Sequence, residues 1–293
     1  MHATPREVAD CVRRALAEDL GAEPVHADLD LTSRISVPAG MQAGARIVAK
    51  ARGVVAGTRV AEAAFRALDP AARIDVRMGD GSRVQPGDLV MVVHCGARAL
   101  LAAERTALNF LQRLSGVATA TRAMVDAVAG TGALVLDTRK TTPGLRMLEK
   151  DAVVAGGGTN HRIGLFDQVL LKENHFAMAG RPYEQVVRDC VAGQAVPVVA
   201  EARTVDEALA AVRGGAAVVL MDNFAAGREL RDAIQRVRAE ATASGRKVLV
   251  EASGGIRAEN VRSYAECGVD RISVGALTHS APALDLSLLV EGA

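Results

Sequence analysis

The chain has 293 residues, 49% of them hydrophobic, enough to bury a substantial core in two domains or in one barrel with an appendage. Lys and Arg number 35 against 34 Asp and Glu, a formal net charge of +1, so the overall balance argues against nucleic acid or an anionic membrane as partner. Cys11, Cys95, Cys190 and Cys267 are far apart, which excludes the close pairs of a zinc site and the framework of a small disulfide-rich protein, and they read as reduced packing thiols.

The first residues lack an apolar signal core, and no stretch of about 18 uncharged apolar residues occurs, so a soluble cytoplasmic protein is expected. Val8, Val12, Leu16 and Leu20 recur every four residues and predict an amphipathic helix over 6–20, stopped by Gly21. Residues 22–33 are polar and acidic and read as a loop. Between 43 and 93, short strands alternate with turns such as Gly79-Asp80-Gly81-Ser82, and one helix is predicted over 59–68. A long helix over 97–114 leads into the second half. The predicted domains are 1–112 and 113–293, with the tail after Thr278 a candidate to pack on the first.

The second half has a strand–helix rhythm with charge at the carboxyl ends of its apolar runs. Ala133-Leu134-Val135-Leu136 precedes Asp137-Thr138-Arg139-Lys140, and Val169-Leu170-Leu171 precedes Lys172. Later runs end in Glu201, in Asp222-Asn223, in Glu251 followed by Ser253-Gly254-Gly255, and in Gly275-Ala276. Helical stretches over 204–213 and 228–243 separate them, as βα units require. Six or seven strands between 133 and 276 predict an α/β barrel that is incomplete, and in a barrel this strand edge is the active-site face.

Arg139, Lys140, Arg162 and Lys172, with His161 and His175 beside them, make a local cation cluster that suits a substrate with several negative groups. The competing account pairs these cations with Glu149, Asp151, Asp167 and Glu173 as loop ties. Glu201 and Asp222 are 21 residues apart, one βα unit, and neighbouring carboxylates suit a Mg²⁺ that takes further ligands from phosphate; salt bridges to the same cations are the alternative. Ser253-Gly254-Gly255 and Gly275 offer backbone N–H groups to a phosphate at helix starts, or serve as helix-entry turns. Gly156-Gly157-Gly158 has the spacing of neither a dinucleotide fingerprint nor a Walker loop.

Several stretches carry a resemblance: Glu104 to Phe110, Asp137 to Gly144, Gly156 to Arg162, Lys172-Glu173-Asn174-His175, Leu220 to Phe224 and Ser273 to Leu277. Together and in this order they resemble the quinolinate phosphoribosyltransferases, decarboxylating enzymes of NAD synthesis, over nearly the whole chain. The resemblance implies an N-terminal α/β sandwich domain followed by an incomplete α/β (TIM-like) barrel. It also implies a homodimer, or a larger assembly of dimers, with active sites shared between subunits. Arg105 would reach the neighbouring subunit's quinolinate, while Thr138, Arg139, His161, Arg162 and Lys172 surround that substrate from within. Lys140 would bridge quinolinate and phosphoribosyl pyrophosphate, Glu201 and Asp222 would hold ribose hydroxyls and Mg²⁺, and Ser253, Gly254, Gly255, Val274, Gly275 and Ala276 would lie near the 5′-phosphate.

Three departures stand out. Val199 occupies a position, two before Glu201, where the family usually has a second glutamate; Asp151 replaces a common aromatic residue; and the loop over 23–30 is longer than usual. Rival readings are a same-fold paralogue linked to molybdenum uptake, a nicotinate phosphoribosyltransferase, whose substrate has one carboxylate, and a non-catalytic sensor. The Asn160-His161-Arg162 and Lys172 to His175 elements argue against the paralogue.

Overall fold

Thr4 starts helix α1 (Pro5–Leu20) with a reciprocal cap, accepting from the Glu7 N–H while the Glu7 carboxylate accepts from the Thr4 N–H, and Pro5 takes the first helical position. Gly21, at φ 74°, closes it. The segment expected to be loop is more ordered. It holds one 3₁₀ turn (Ala27–Leu29) and a short helix, α2 (Leu31–Ser36), capped by Asp30, which accepts from the Thr32 N–H. Six residues make under two turns, too few for apolar periodicity to register.

The chain continues through β1 (Gln42–Ala49), β2 (Gly53–Val54), α3 (Thr58–Leu68), β3 (Arg73–Val76), β4 (Arg83–Val84) and β5 (Leu89–Gly96) into α4 (Ala97–Ala127). The helix runs past the expected end at 114, and Ser115-Gly116 serves packing within it rather than a stop. The Ser115 hydroxyl bonds the Ala56 backbone, and a Cβ on Gly116 would lie 2.1 Å from the Pro282 carbonyl oxygen. The boundary proposed at 112 therefore falls inside a continuous helix.

Beyond α4 come β6 (Leu134–Leu136), α5 (Arg146–Ala155), β7 (Val169–Leu171), α6 (Glu173–Ala179), α7 (Tyr183–Ala192), β8 (Val198–Ala202), α8 (Val205–Gly214) and β9 (Val218–Asp222). The last elements are α9 (Arg228–Ala243), β10 (Leu249–Ser253), α10 (Val261–Ala265), β11 (Arg271–Ser273), α11 (Ala276–His279) and β12 (Leu286–Val290). This computed structural model describes residues 2–193 and 196–291. Two units emerge, one of residues 1–122, 141–157 and 277–293, the other of 123–140 and 158–276.

The first unit is built on an antiparallel sheet of order β12-β1-β5-β3, with β2 and β4 paired separately. The tail returns to this sheet, from Ala45 opposite Val290 to Ala49 opposite Leu286. Leu16, Ile47, Phe65, Met91, Leu111 and Leu114 are fully buried in its core, each burial stabilising by roughly 1.5–3 kcal/mol. Asp151 ties down the N-terminus, accepting from the Ala3 N–H at 3.0 Å and facing His2 Nδ1 at 2.8 Å, a polar anchor in place of aromatic packing. All four cysteines are free, and burial, then the Asp69 charge, pushes the Cys95 thiol up to about 11.

The second unit is a parallel six-stranded sheet of order β6-β11-β10-β9-β8-β7. Helices α7, α8 and α9 pack in sequence along it. Among the described residues the edges β6 and β7 do not pair, so the barrel is open, and Thr159 lies beside β6 through a single bridge to Leu136. The chain thus has the mixed α/β fold expected, an antiparallel-sheet unit and an incomplete parallel barrel.

Candidate active site

The strand register stacks the inner face of the barrel in layers. Leu170, Val199, Val218 and Leu249 are register partners; Leu170, Val199 and Val218 are buried in one apolar cluster with Leu220 of the layer above, and Leu249 packs against it. Two residues further along each strand, Glu201 and Glu251 both pair with Leu220, from opposite sides. The next layer sets Asp222 beside Ser253. Alternate strand residues share a face, so chemistry begins where the apolar layer ends. Val199 lies below that line, fully buried, which explains why an apolar residue fits there.

Lys172, just beyond β7, donates from Nζ to Glu201 Oε2 at 2.9 Å. Glu201 is only 7% exposed, and its other oxygen receives the Glu173 N–H at 3.4 Å. The Tyr183 hydroxyl holds the Glu201 carbonyl at 2.7 Å, and its ring stacks on Phe176 at 3.8 Å. Burial, and next the Glu201 charge, push the Asp222 carboxyl above the usual range, while Lys172 and Lys140 pull it down. These four groups therefore share one electrostatic field. The Lys140 backbone N–H is fixed by the Thr138 hydroxyl at 3.1 Å.

A second group forms around the extension beside β6. The Thr159 N–H donates to the Val135 carbonyl, and the Asp137 N–H to the Thr159 carbonyl. Asp137, fully buried, accepts from the His161 N–H at 2.8 Å. The Arg162 N–H then donates to His161 Nδ1 at 2.7 Å, and Arg162 reaches the Gln168 carbonyl. Burial, and next the neighbouring Arg139 charge, lower the pKa of Arg162, with Asp167 opposing them. Two guanidiniums are thus held together in a partly desolvated place.

The carboxylates offered as loop ties are largely committed elsewhere. Glu149 accepts from Arg113 and Thr142, Asp151 from the N-terminal segment, and Glu173 from Arg203. Asp167 shapes its own turn by accepting from Ile163 and Gly164 N–H groups, while attracting Arg162. His175 leaves the catalytic candidates: its Nδ1 accepts from the Lys172 N–H and caps α6.

The glycines are arranged differently from expectation. Gly254 (φ 97°) and Gly255 (φ 62°) lie well before the five-residue α10, so they open no helix directly. Gly254 is required by close approach, since a Cβ there would meet Asn223 Oδ1 at 2.2 Å. Asn223 itself has φ 60°, donates its N–H to the Ser253 carbonyl and its Nδ2 to Asp222. Gly275 does directly precede α11, and the Val274 N–H is bonded to Leu136.

In the first unit, Arg105 projects from α4, exposed and without an ion pair or hydrogen bond among the described residues, one turn from exposed Leu101. Elsewhere in the first unit a cleft of about 580 Å³, lined by Arg13, Arg14 and Arg146 among others, contains none of the expected site residues. No cluster of three metal-ligating side chains occurs among the described residues, nor any helix long and apolar enough to cross a membrane. Sequence reasoning passed over Asp137, Tyr183 and Glu251, which the structure places beside the candidate residues, because their positions depend on contacts distant in sequence that spacing does not reveal.

An open α/β barrel with cations and carboxylates at the carboxyl ends of its strands defines a class, enzymes that act on a polyanion at that edge. Residues 30–115 match the quinolinate phosphoribosyl transferase N-terminal domain, and residues 117–289 its C-terminal domain. The chain is 42% identical over 284 residues to nicotinate-nucleotide pyrophosphorylase (carboxylating) of Mycobacterium leprae, covering 95% of each. It is 40% identical over 260 residues to the probable nicotinate-nucleotide pyrophosphorylase (carboxylating) of Bacillus subtilis, covering 88% of this chain and 87% of the other. The solved nicotinate-nucleotide pyrophosphorylase from Francisella tularensis superposes with a TM-score of 0.89 at 34% identity, covering 99% of this chain and 98% of that one. The chain belongs to the quinolinate phosphoribosyl transferase family.

Proposed function

We propose that the protein transfers phosphoribosyl from phosphoribosyl pyrophosphate to quinolinate with decarboxylation, giving nicotinate mononucleotide, pyrophosphate and CO₂. The observation that carries this reading is the gathering of cations at the carboxyl ends of neighbouring strands, with Lys172 on Glu201 at 2.9 Å and Arg162 held beside His161 by its N–H at 2.7 Å, an arrangement suited to a substrate with several negative groups. With Lys140, Lys172, Thr138 and His161, Arg139 and Arg162 form the proposed quinolinate pocket, matched to a dianion where a nicotinate enzyme would need to hold one carboxylate. Ser253, Gly254, Gly255, Val274, Gly275 and Ala276 are proposed near the 5′-phosphate.

In the proposed reaction the C1–pyrophosphate bond breaks first, and the pyridine nitrogen donates its electron pair to the cationic ribose carbon. Glu201, beside that carbon, stabilises its charge. The 2-carboxylate then leaves as CO₂, its bonding pair remains on the ring carbon next to the pyridinium, and a proton is taken up there. No covalent enzyme intermediate is needed.

Glu201 and Asp222 are the proposed Mg²⁺ residues. The donor set fits an ion that draws most of its ligands from water and phosphate: Asp222 is pushed up by burial and by Glu201, a strain a divalent cation relieves. Mg²⁺, when bound, would neutralise the leaving pyrophosphate. A homodimer is proposed, with Arg105 completing the neighbouring site; the uncommitted guanidinium beside Leu101 supports it. Cytoplasmic residence is likewise proposed. The test is calorimetric: quinolinate should bind at least tenfold more tightly than nicotinate, and Arg162→Ala should erase the difference. Equal affinities in the unaltered protein would contradict the reading.

A further inference from the structure

Glu251 has no part in the reaction just proposed, yet it occupies the middle of the barrel's inner face. It is fully buried on β10, and neither carboxylate oxygen has an aligned hydrogen-bond donor. Its Oε1 lies 3.3 Å from His161 Nε2, close enough for electrostatic contact but short of hydrogen-bond alignment. Arg271, its register partner on β11, makes no ion pair among the described residues. A buried carboxylate is costly unless something compensates it, and the group in reach is the His161 ring.

The ring's protonation pattern follows from its other contact. His161 Nδ1 accepts the Arg162 N–H at 2.7 Å, so Nδ1 carries no proton. The remaining ring proton sits on Nε2 and faces Glu251. Both ring nitrogens are therefore engaged, one by a carboxylate below and one by the backbone of the residue whose guanidinium stands beside Arg139. The His161 backbone is fixed separately, by Asp137.

We propose that Glu251 is a positioning residue for the anion-binding arginine Arg162, acting through the His161 ring. The Arg162 N–H on Nδ1 selects the tautomer, the carboxylate facing Nε2 fixes the rotation of the imidazole, and the imidazole so held sets the backbone of Arg162. The kinetic part rests on the quinolinate reading above; the spectroscopic part does not.

In the unaltered protein, ¹⁵N NMR of the imidazoles, assigned with His161→Gln, should show His161 protonated at Nε2, and finding the proton on Nδ1 overturns the proposal. Glu251→Leu should speed hydrogen exchange of the Arg162 amide and raise the KM for quinolinate about tenfold, leaving that for phosphoribosyl pyrophosphate within about twofold. Glu251→Gln keeps an acceptor oxygen for Nε2–H and should hold both quantities within about threefold of the starting values. Equal rises in both KM values, or a glutamine variant as impaired as the leucine one, would indicate a merely structural role and overturn it. Where the leucine variant does not fold, the tautomer and the glutamine variant decide. Absence of quinolinate turnover in the unaltered protein would refute the function while leaving the tautomer and amide-exchange results to judge the relay.

Discussion

Lys172 Nζ and Glu201 Oε2 are 2.9 Å apart at the carboxyl ends of adjacent parallel strands, joining the cation proposed for quinolinate to the carboxylate proposed for the ribose. The same ammonium also pulls down the Asp222 carboxyl, which burial and Glu201 push up. Removing it should raise the Asp222 pKa further, so the acid limb of the kcat/KM profile should move to higher pH in Lys172→Met. An acid limb that stays in place would show that Asp222 does not control it.

Asp222→Asn should separate stability from activity. A carboxyl with a raised folded-state pKa contributes stability that is fully present below its unfolded pKa and lost as pH rises through the folded value. Near neutral pH the unaltered protein therefore carries the cost of an ionised, partly buried group. The asparagine variant should melt about 1–3 °C higher at pH 7.5, with the gain vanishing near pH 4. Turnover should fall roughly 10²-fold. A lower melting temperature at neutral pH would contradict this account.

Metal dependence should be conditional on substrate. Because the proposed site offers only two carboxylates, and no three-residue cluster occurs among the described residues, Mg²⁺ alone should hardly move the melting temperature. Mg²⁺ with phosphoribosyl pyrophosphate should raise it clearly, by linkage. An equal shift from Mg²⁺ alone would point to a preformed metal site elsewhere.

The buried Glu149 is held by Arg113 at 2.9 Å and by the Thr142 hydroxyl at 2.8 Å. Arg113→Ala strands this carboxylate and should cost about 3 kcal/mol of stability in chemical denaturation, whereas adding Glu149→Gln should recover part of it. Additive losses would mean the two side chains are not coupled.

Shared sites can be tested by mixing subunits. If Arg105 acts in trans, a statistical mixture of inactive Arg105→Ala and Lys140→Ala subunits forms about half heterodimers, each with one intact site, by symmetry of exchange. Activity should recover to about a quarter of the unaltered level under the same closed-dimer arithmetic. No recovery on mixing would rule out a site completed by the neighbour.

Much of this arrangement was legible in the chain. Apolar runs ending in charge gave the parallel strands and the edge they share, because buried parallel strands are continuous apolar segments and any charge must wait for their ends. What escaped were features set by contacts distant in sequence. The glycine inside α4 at 116 reads as a helix stop, but it is there because the 282–283 backbone leaves room for nothing larger. The glycine at 254 answers to Asn223, and His175 proved to be a cap. Glu251 stood in plain view at a strand end, but its burial against His161 depends on a turn that begins beside another strand.

The most direct measurement incubates the purified protein with quinolinate, phosphoribosyl pyrophosphate and Mg²⁺, following nicotinate mononucleotide and CO₂, with nicotinate as a parallel substrate. Stoichiometric product and CO₂ from quinolinate, with none from nicotinate, is the predicted result and would show that Val199 is compatible with turnover. Quinolinate binding without product, or product from nicotinate alone, would contradict it.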